Sequence, residues 1–215
     1  MQIALALYPG FTALDIIGPF QVLSALPDAT CVFVAAEAGP VRDDTRVVEL
    51  RAPLGFAECA EPDVIVVPGG MHTMRCIPDH PILDWLRQMS PKARWTASVC
   101  TGSILLAAAG LLKGERATTH WAAMAALESF GAIPTAERVI FGDRIVTAAG
   151  VSAGIDMALQ LAERLVDKDA AMAAQLAIEY DPAPPFQCGS PKSAPKELVA
   201  AVAARLAKAV APPAR

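Results

Sequence analysis

The stretch Trp95-Thr96-Ala97-Ser98-Val99-Cys100-Thr101-Gly102-Ser103-Ile104-Leu105-Leu106 decides the fold. Its first five residues carry no charge and include β-branched and aromatic members. They predict a buried strand over 95–99. From Thr101 the apolar residues continue through Leu112, which predicts a helix over 101–112 ended by Lys113-Gly114. A strand that passes into a helix through Cys-Thr-Gly has the layout of a nucleophile elbow, a sharp turn that exposes the nucleophile.

The same punctuation recurs on either side. Gln2 to Tyr8 is an apolar run stopped by Pro9-Gly10, Cys31 to Ala36 is a second, and Asp63 to Pro68 is a third that runs into Gly69-Gly70. These runs are apolar throughout rather than alternating, as strands buried on both faces of a parallel sheet are. Helical spacing lies between them. Thr12 to Leu26 carries Leu14, Ile17, Val22 and Leu26, with Thr12 as N-cap and Pro19 expected to kink it or delay its start. A helix beginning near Asp79-His80-Pro81 carries Ile82, Trp85, Leu86 and Met89. Others are expected over 122–130, stopped by Gly131, along Ile155 to Val166, and over 169–178. Val41 to Leu50 reads as sheet or hairpin, and Gly142-Asp143 as the turn of a hairpin.

The proline-rich stretch 180–195 predicts irregular chain, followed by a helix over 195–210. Neither an internal repeat nor an interdomain linker is evident. Strands alternating with helices predict an α/β fold, a three-layer sandwich with a mostly parallel sheet and helices on both faces. The expectation is a single domain over residues 1–215, with 196–215 forming a C-terminal helix and tail.

Composition narrows the function. Of 215 residues, 54% are hydrophobic and 19% charged, which excludes a disordered chain. The net charge is −4 and the basic residues are dispersed, so no phosphate-tracking surface is expected and nucleic-acid binding is not predicted. The longest apolar run, 102–112, is too short to span a bilayer. The N-terminus has no basic n-region, so no signal peptide is expected. Five widely spaced cysteines without CxxC fit free thiols in a reducing cytoplasm better than a disulfide framework.

In open α/β sheets ligands bind at the carboxyl ends of the strands. That rule selects Pro9 to Asp15, Pro68 to His72 and Ser98 to Ser103. Cys100 reads either as a nucleophile whose pKa is lowered by a helix N-terminus or as a small buried thiol. Asp15, in the first turn of its helix, reads either as an acid–base partner or as a surface charge favoured by the helix dipole. Gly69-Gly70 offers close backbone approach and an anion hole, or else a turn needing positive φ. His72, Cys76 and His80 are metal-ligand residue types at loose spacing with nothing to sharpen them, so no metal is expected. His120, in Ala117-Thr118-Thr119-His120-Trp121, is either a triad histidine or a structural one, and its position favours the second.

These segments together resemble the ThiJ/PfpI superfamily of amidotransferase-like proteins, a flavodoxin-like α/β class. The likeness is carried by Leu14-Asp15, Gly18-Pro19, Pro68-Gly69-Gly70, Ser98 to Ser103 and Ala108-Ala109-Gly110-Leu111-Leu112. It continues through Arg116 to Trp121, Ala153-Gly154-Ile155-Asp156 and Glu179 to Phe186. Within the superfamily these residues are most similar to the bacterial isocyanide hydratases. That resemblance implies a small-molecule substrate, an isocyanide, hydrated to an N-substituted formamide. It implies Cys100 as nucleophile and Asp15 as general acid–base. Backbone N–H groups of Gly70 and Thr101, with the Thr101 hydroxyl, would orient the carboxylate and the reacting atoms, and Gly69, Gly70 and Met71 would line the substrate site. It implies no cofactor, no metal and a homodimer.

Met71-His72-Thr73 is bulkier than the hydratase pattern, and Thr147 to Gly154, with Ala148-Ala149, is less glycine-rich; both bear on substrate fit. A cysteine amidase or protease of the superfamily would place His after the Cys, where Thr101 stands. A glyoxalase or deglycase would carry Glu at Asp15. A redox sensor or chaperone would need only the reactive Cys100.

Overall fold

The computed structural model describes residues 1–77 and 79–210. The expected tail therefore lies outside the described residues from 211 onward. The chain forms two compact units, Met1–Glu179 and Tyr180–Arg215.

In chain order the first unit contains β1 (Gln2–Ala6), α1 (Ala13–Leu23), β2 (Thr30–Ala35), β3 (Gly39–Arg42), β4 (Glu49–Ala52) and β5 (Leu54–Gly55). There follow β6 (Val64–Val67), α2 (Pro81–Met89), β7 (Trp95–Val99), α3 (Gly102–Ala108), β8 (Arg116–Ala117) and α4 (Met124–Ser129). It closes with β9 (Ile133–Pro134), β10 (Val139–Phe141), β11 (Ile145–Ala148), α5 (Ala153–Leu165) and α6 (Lys168–Ala177). The second unit runs irregularly from Tyr180 and then forms α7 (Lys196–Val210).

The main sheet has the order β10-β11-β7-β6-β1-β2-β5. Every pairing is parallel except β10 with β11, the hairpin across Gly142-Asp143. The apolar runs sit at its centre: Ile3 to Ala6 and Val64 to Val67 are fully buried. Burying each such valine or isoleucine contributes roughly 1.5–3 kcal/mol. Helices α1, α5 and α6 cover one face, while α2, α3 and α4 gather on the other. This is the three-layer α/β architecture expected. On the first face Gly18 lets α1 approach α5, since a Cβ there would lie 2.9 Å from Ile155 Cγ1.

Two local expectations differ from the structure, and a third, sheet or hairpin over 41–50, resolves to a hairpin. Helix α3 stops at Ala108, not near Leu112, because Gly110 adopts φ +86° and turns the chain out of the helix. Thr12 occupies the N-cap position of α1, but its hydroxyl donates to Asp44 Oδ2 (2.6 Å) instead of capping. Residues 41–50 form the antiparallel β3–β4 hairpin outside the main sheet. Its loop bonds to the first carboxyl-edge turn through Gly10 N–H to the Arg42 carbonyl (2.9 Å) and Asp44 N–H to the Phe11 carbonyl (2.8 Å).

Candidate active site

β1, β6 and β7 are adjacent in the sheet and parallel, so the turns after them meet at one edge. Each turn brings a different chemical group. The turn after β1 leads into α1 and Asp15, that after β6 is Gly69-Gly70, and that after β7 is Cys100.

Cys100 has φ +57°, a left-handed conformation that costs a residue with a Cβ of order 1–2 kcal/mol. Neighbouring bonds hold it there. Its N–H donates to the carbonyls of Ala148 (3.1 Å), the last residue of β11, and Ala149 (2.8 Å). Its carbonyl accepts from the Thr119 hydroxyl (2.9 Å) and the Ser103 hydroxyl (3.2 Å). The side chain therefore leaves the strand at a fixed angle, and the residue is 6% exposed.

Asp15 is completely buried. Gly69 N–H donates to its Oδ2 (2.9 Å), and the Cys100 thiol is close enough to act on the carboxyl group. Oδ1 has no nitrogen or oxygen partner among the described residues. Burial raises the Asp15 pKa from 3.8 to about 7, against the lowering effects of the Gly69 N–H and of Cys100. Burial also pushes the Cys100 thiol well above its ordinary range, and the Asp15 charge adds to the effect. Backbone N–H groups of Thr101 and Val151 act on the sulfur in the opposite direction but do not outweigh burial. The expectation that a helix N-terminus lowers the Cys100 pKa is thus corrected. Desolvation dominates over those two donors.

The double glycine is required for close approach, and neither glycine has positive φ. A Cβ on Gly69 would collide with the Thr101 amide nitrogen and lie 2.9 Å from Asp15 Oδ2. A Cβ on Gly70 would collide with the Gly10 carbonyl. Their N–H groups do not form an open anion hole. Gly69 N–H binds the Asp15 carboxylate and Gly70 N–H binds Thr101 Oγ1 (2.9 Å). The expected part of Gly70 N–H in orienting the carboxylate is therefore taken by Gly69. Met71 follows directly and is partly buried.

The other candidates are committed elsewhere. His120 Nδ1 accepts from Ala122 N–H (3.3 Å), and the ring lies against Gly150 and Trp121. His80 caps α2 by accepting from Ile82 N–H (3.2 Å). His72 packs against Gly10, and Cys76 is buried. Among the described residues no three His, Cys, Asp or Glu side chains converge as a metal site would need.

Two residues assigned no part in the chemistry by the sequence reading stand close by. Tyr8 and Thr73 are both buried, and their hydroxyls lie 2.9 Å apart. Thr73 Oγ1 is in turn 2.7 Å from Thr101 Oγ1. Tyr8 ends the β1 run at the carboxyl edge, which was the one available signal. Nothing in the spacing brings Thr73 to it.

A nucleophile elbow with a buried carboxylate at the edge of a parallel sheet defines the class of site. Comparison with known proteins gives the family. The DJ-1/PfpI family profile matches residues 1–164, and the chain belongs to that family. It is 45% identical to an isonitrile hydratase of Pseudomonas putida over 199 residues, covering 93% of this chain and 87% of that one. The crystal structure of a ThiJ/PfpI family protein from Pseudomonas syringae superposes with a TM-score of 0.93 at 39% identity. That match covers 97% of this chain and 87% of the other. The HTH-type transcriptional regulator CdhR of Pseudomonas aeruginosa is 35% identical, but over 60% of this chain and only 38% of its own length.

Proposed function

We propose that the protein is an isocyanide (isonitrile) hydratase that works by covalent catalysis. The observation that carries the reading is the buried Cys100–Asp15 pair at the elbow. The similarity to the isonitrile hydratase over 93% of the chain supports an isonitrile as the substrate of the pair.

The Asp15 carboxylate accepts the thiol proton as Cys100 sulfur forms a bond to the terminal carbon of R–N≡C. Asp15 delivers that proton to the same carbon, giving the thioimidate R–N=CH–S–Cys. Water then adds at this carbon. Asp15 takes one of its protons and passes it to the nitrogen, giving R–NH–CH(OH)–S–Cys. The C–S bond breaks as the hydroxyl proton returns to sulfur through Asp15, and R–NH–CHO leaves. The sum is one isocyanide and one water to one formamide. A group that both accepts and donates protons works best with a pKa near the working pH, and Asp15 at about 7 meets that requirement. Thr101 N–H, on the sulfur, supports the negative charge that develops as the C–S bond breaks.

The amidase alternative needs a histidine on the sulfur, whereas His120 Nδ1 accepts from Ala122 N–H in its own turn. The test is incubation with an aryl isocyanide while formamide absorbance is followed. The wild type is expected to turn over and Cys100→Ser is expected not to. Absence of formamide from well-folded wild type would remove the reading.

A further inference from the structure

Three hydroxyl groups, those of buried Tyr8 and Thr73 and of half-buried Thr101, form a chain behind the double glycine. Tyr8 OH lies 3.2 Å from the Pro68 carbonyl and 2.9 Å from Thr73 Oγ1. Thr73 Oγ1 donates to the Gly70 carbonyl (2.8 Å) or pairs with Thr101 Oγ1 (2.7 Å). Thr101 Oγ1 accepts from Gly70 N–H (2.9 Å) and also reaches the Gly70 carbonyl (3.2 Å). Every hydrogen bond these hydroxyls make outside the chain is thus to the Pro68 or Gly70 peptide groups, the two that flank Gly69. Gly69 N–H is the donor on Asp15 Oδ2.

We propose that Tyr8 and Thr73 are positioning residues, whose hydroxyl chain to Thr101 clamps the Pro68–Gly70 peptides and so holds Gly69 N–H on the Asp15 carboxylate. Neither touches the reacting atoms. The proposal rests on Asp15 being the acid–base group of Cys100, and it adds what sets that group's strength.

A buried N–H aimed at a carboxylate favours its charged form. If the clamp loosens, the Gly69 bond lengthens and Asp15 ionises at higher pH. Four ionisable groups bear on this titration. Cys100 from the elbow and Asp44 from the β3–β4 loop act on Asp15 directly. Tyr8 feels Asp15, Cys100 and Cys76, and burial keeps its phenol protonated. Thr73→Val, Tyr8→Phe and Thr101→Val each remove a neutral hydroxyl and Thr73→Ser keeps it, so local charge stays constant in all of them.

The experiment reads Cys100 alkylation by iodoacetamide against pH, with peptide mass mapping to separate it from exposed Cys188. The sulfur–carbon bond forms, iodide leaves, and the thiol proton passes to Asp15. The rate should therefore rise through an inflection near pH 7 in the wild type. For Thr73→Val and Tyr8→Phe the inflection should move upward by about half to one pH unit, whereas Thr73→Ser, which keeps the hydroxyl, should stay at the wild-type value. Thr73→Val added to Thr101→Val should move it no further than Thr101→Val alone. Folding is checked by thermal unfolding of each variant. An unmoved inflection in folded Thr73→Val and Tyr8→Phe would overturn the proposal. So would a shift in Thr73→Ser equal to that in Thr73→Val. Because the readout needs no isocyanide, failure of hydratase turnover leaves this test intact. Failure of the clamp, in turn, leaves turnover measurable.

Discussion

Asp15 carries a carboxyl group in a place where water does not reach, and its pKa of about 7 against an ordinary 3.8 is the consequence. The shift has two effects with opposite value. At neutral pH it leaves the group able both to accept and to give a proton, as covalent hydration demands. It also makes the folded state favour the protonated form. That contribution to stability is fully present below about pH 4 and is lost as pH rises through about 7. Above pH 7 the fold carries an ionised buried carboxylate at a cost of order a few kcal/mol. Asp15→Asn should therefore gain stability over the wild type as pH rises from 4 to 7, with the gain constant above. Urea unfolding at pH 5 and pH 8 checks this, and equal differences at the two values would refute the burial argument. The same variant should lose about 10²–10⁴ in formamide formation, as expected on removal of a general acid–base. Cys100→Ser should abolish it, and the double variant should be no worse than Cys100→Ser, because in the proposed mechanism both groups serve one covalent step.

At the scale of elements, the site depends on how closely three turns can meet. Gly69, like Gly70 and Gly102, is a tight point, and a Cβ there would run into the Thr101 backbone. Backbone cannot step aside as a flexible side chain can. Gly69→Ala should push the β6 turn away from the elbow, lower the melting temperature and reduce turnover at least 100-fold. Unchanged turnover with unchanged melting temperature would show that the turns are not in close contact. Much of this arrangement is legible in the sequence. Unbroken apolar runs such as Val64 to Val67 announce parallel strands, and the carboxyl-edge rule then places Asp15, Gly69-Gly70 and Cys100 together. The end of α3 is less legible, because Gly110 and Gly114 both adopt positive φ and either could stop a helix. The sign of the Cys100 pKa shift is not legible at all. It is set by burial, and burial depends on packing from elements far away in the chain. Tyr8 and Thr73 escaped for a similar reason: their hydroxyls meet across 65 residues.

At the scale of the molecule, the parallel sheet holds three turns at one edge while helices on both faces keep water from the carboxylate. No helix among the described residues is long and apolar enough to cross a membrane. The family resemblance also carries a homodimer, which we propose for this chain. Sedimentation equilibrium should give twice 22.5 kDa, and a monomer at micromolar concentration would remove that part of the proposal. The central claim is that hydration passes through a covalent bond to Cys100. It is tested most directly by acid-quenching the protein during turnover of an aryl isocyanide and measuring its intact mass and peptide map. The account predicts a mass increase of one isocyanide, located on the Cys100 peptide and absent from Cys100→Ser. Formamide produced at the wild-type rate by Cys100→Ser, with no adduct on either protein, would contradict it.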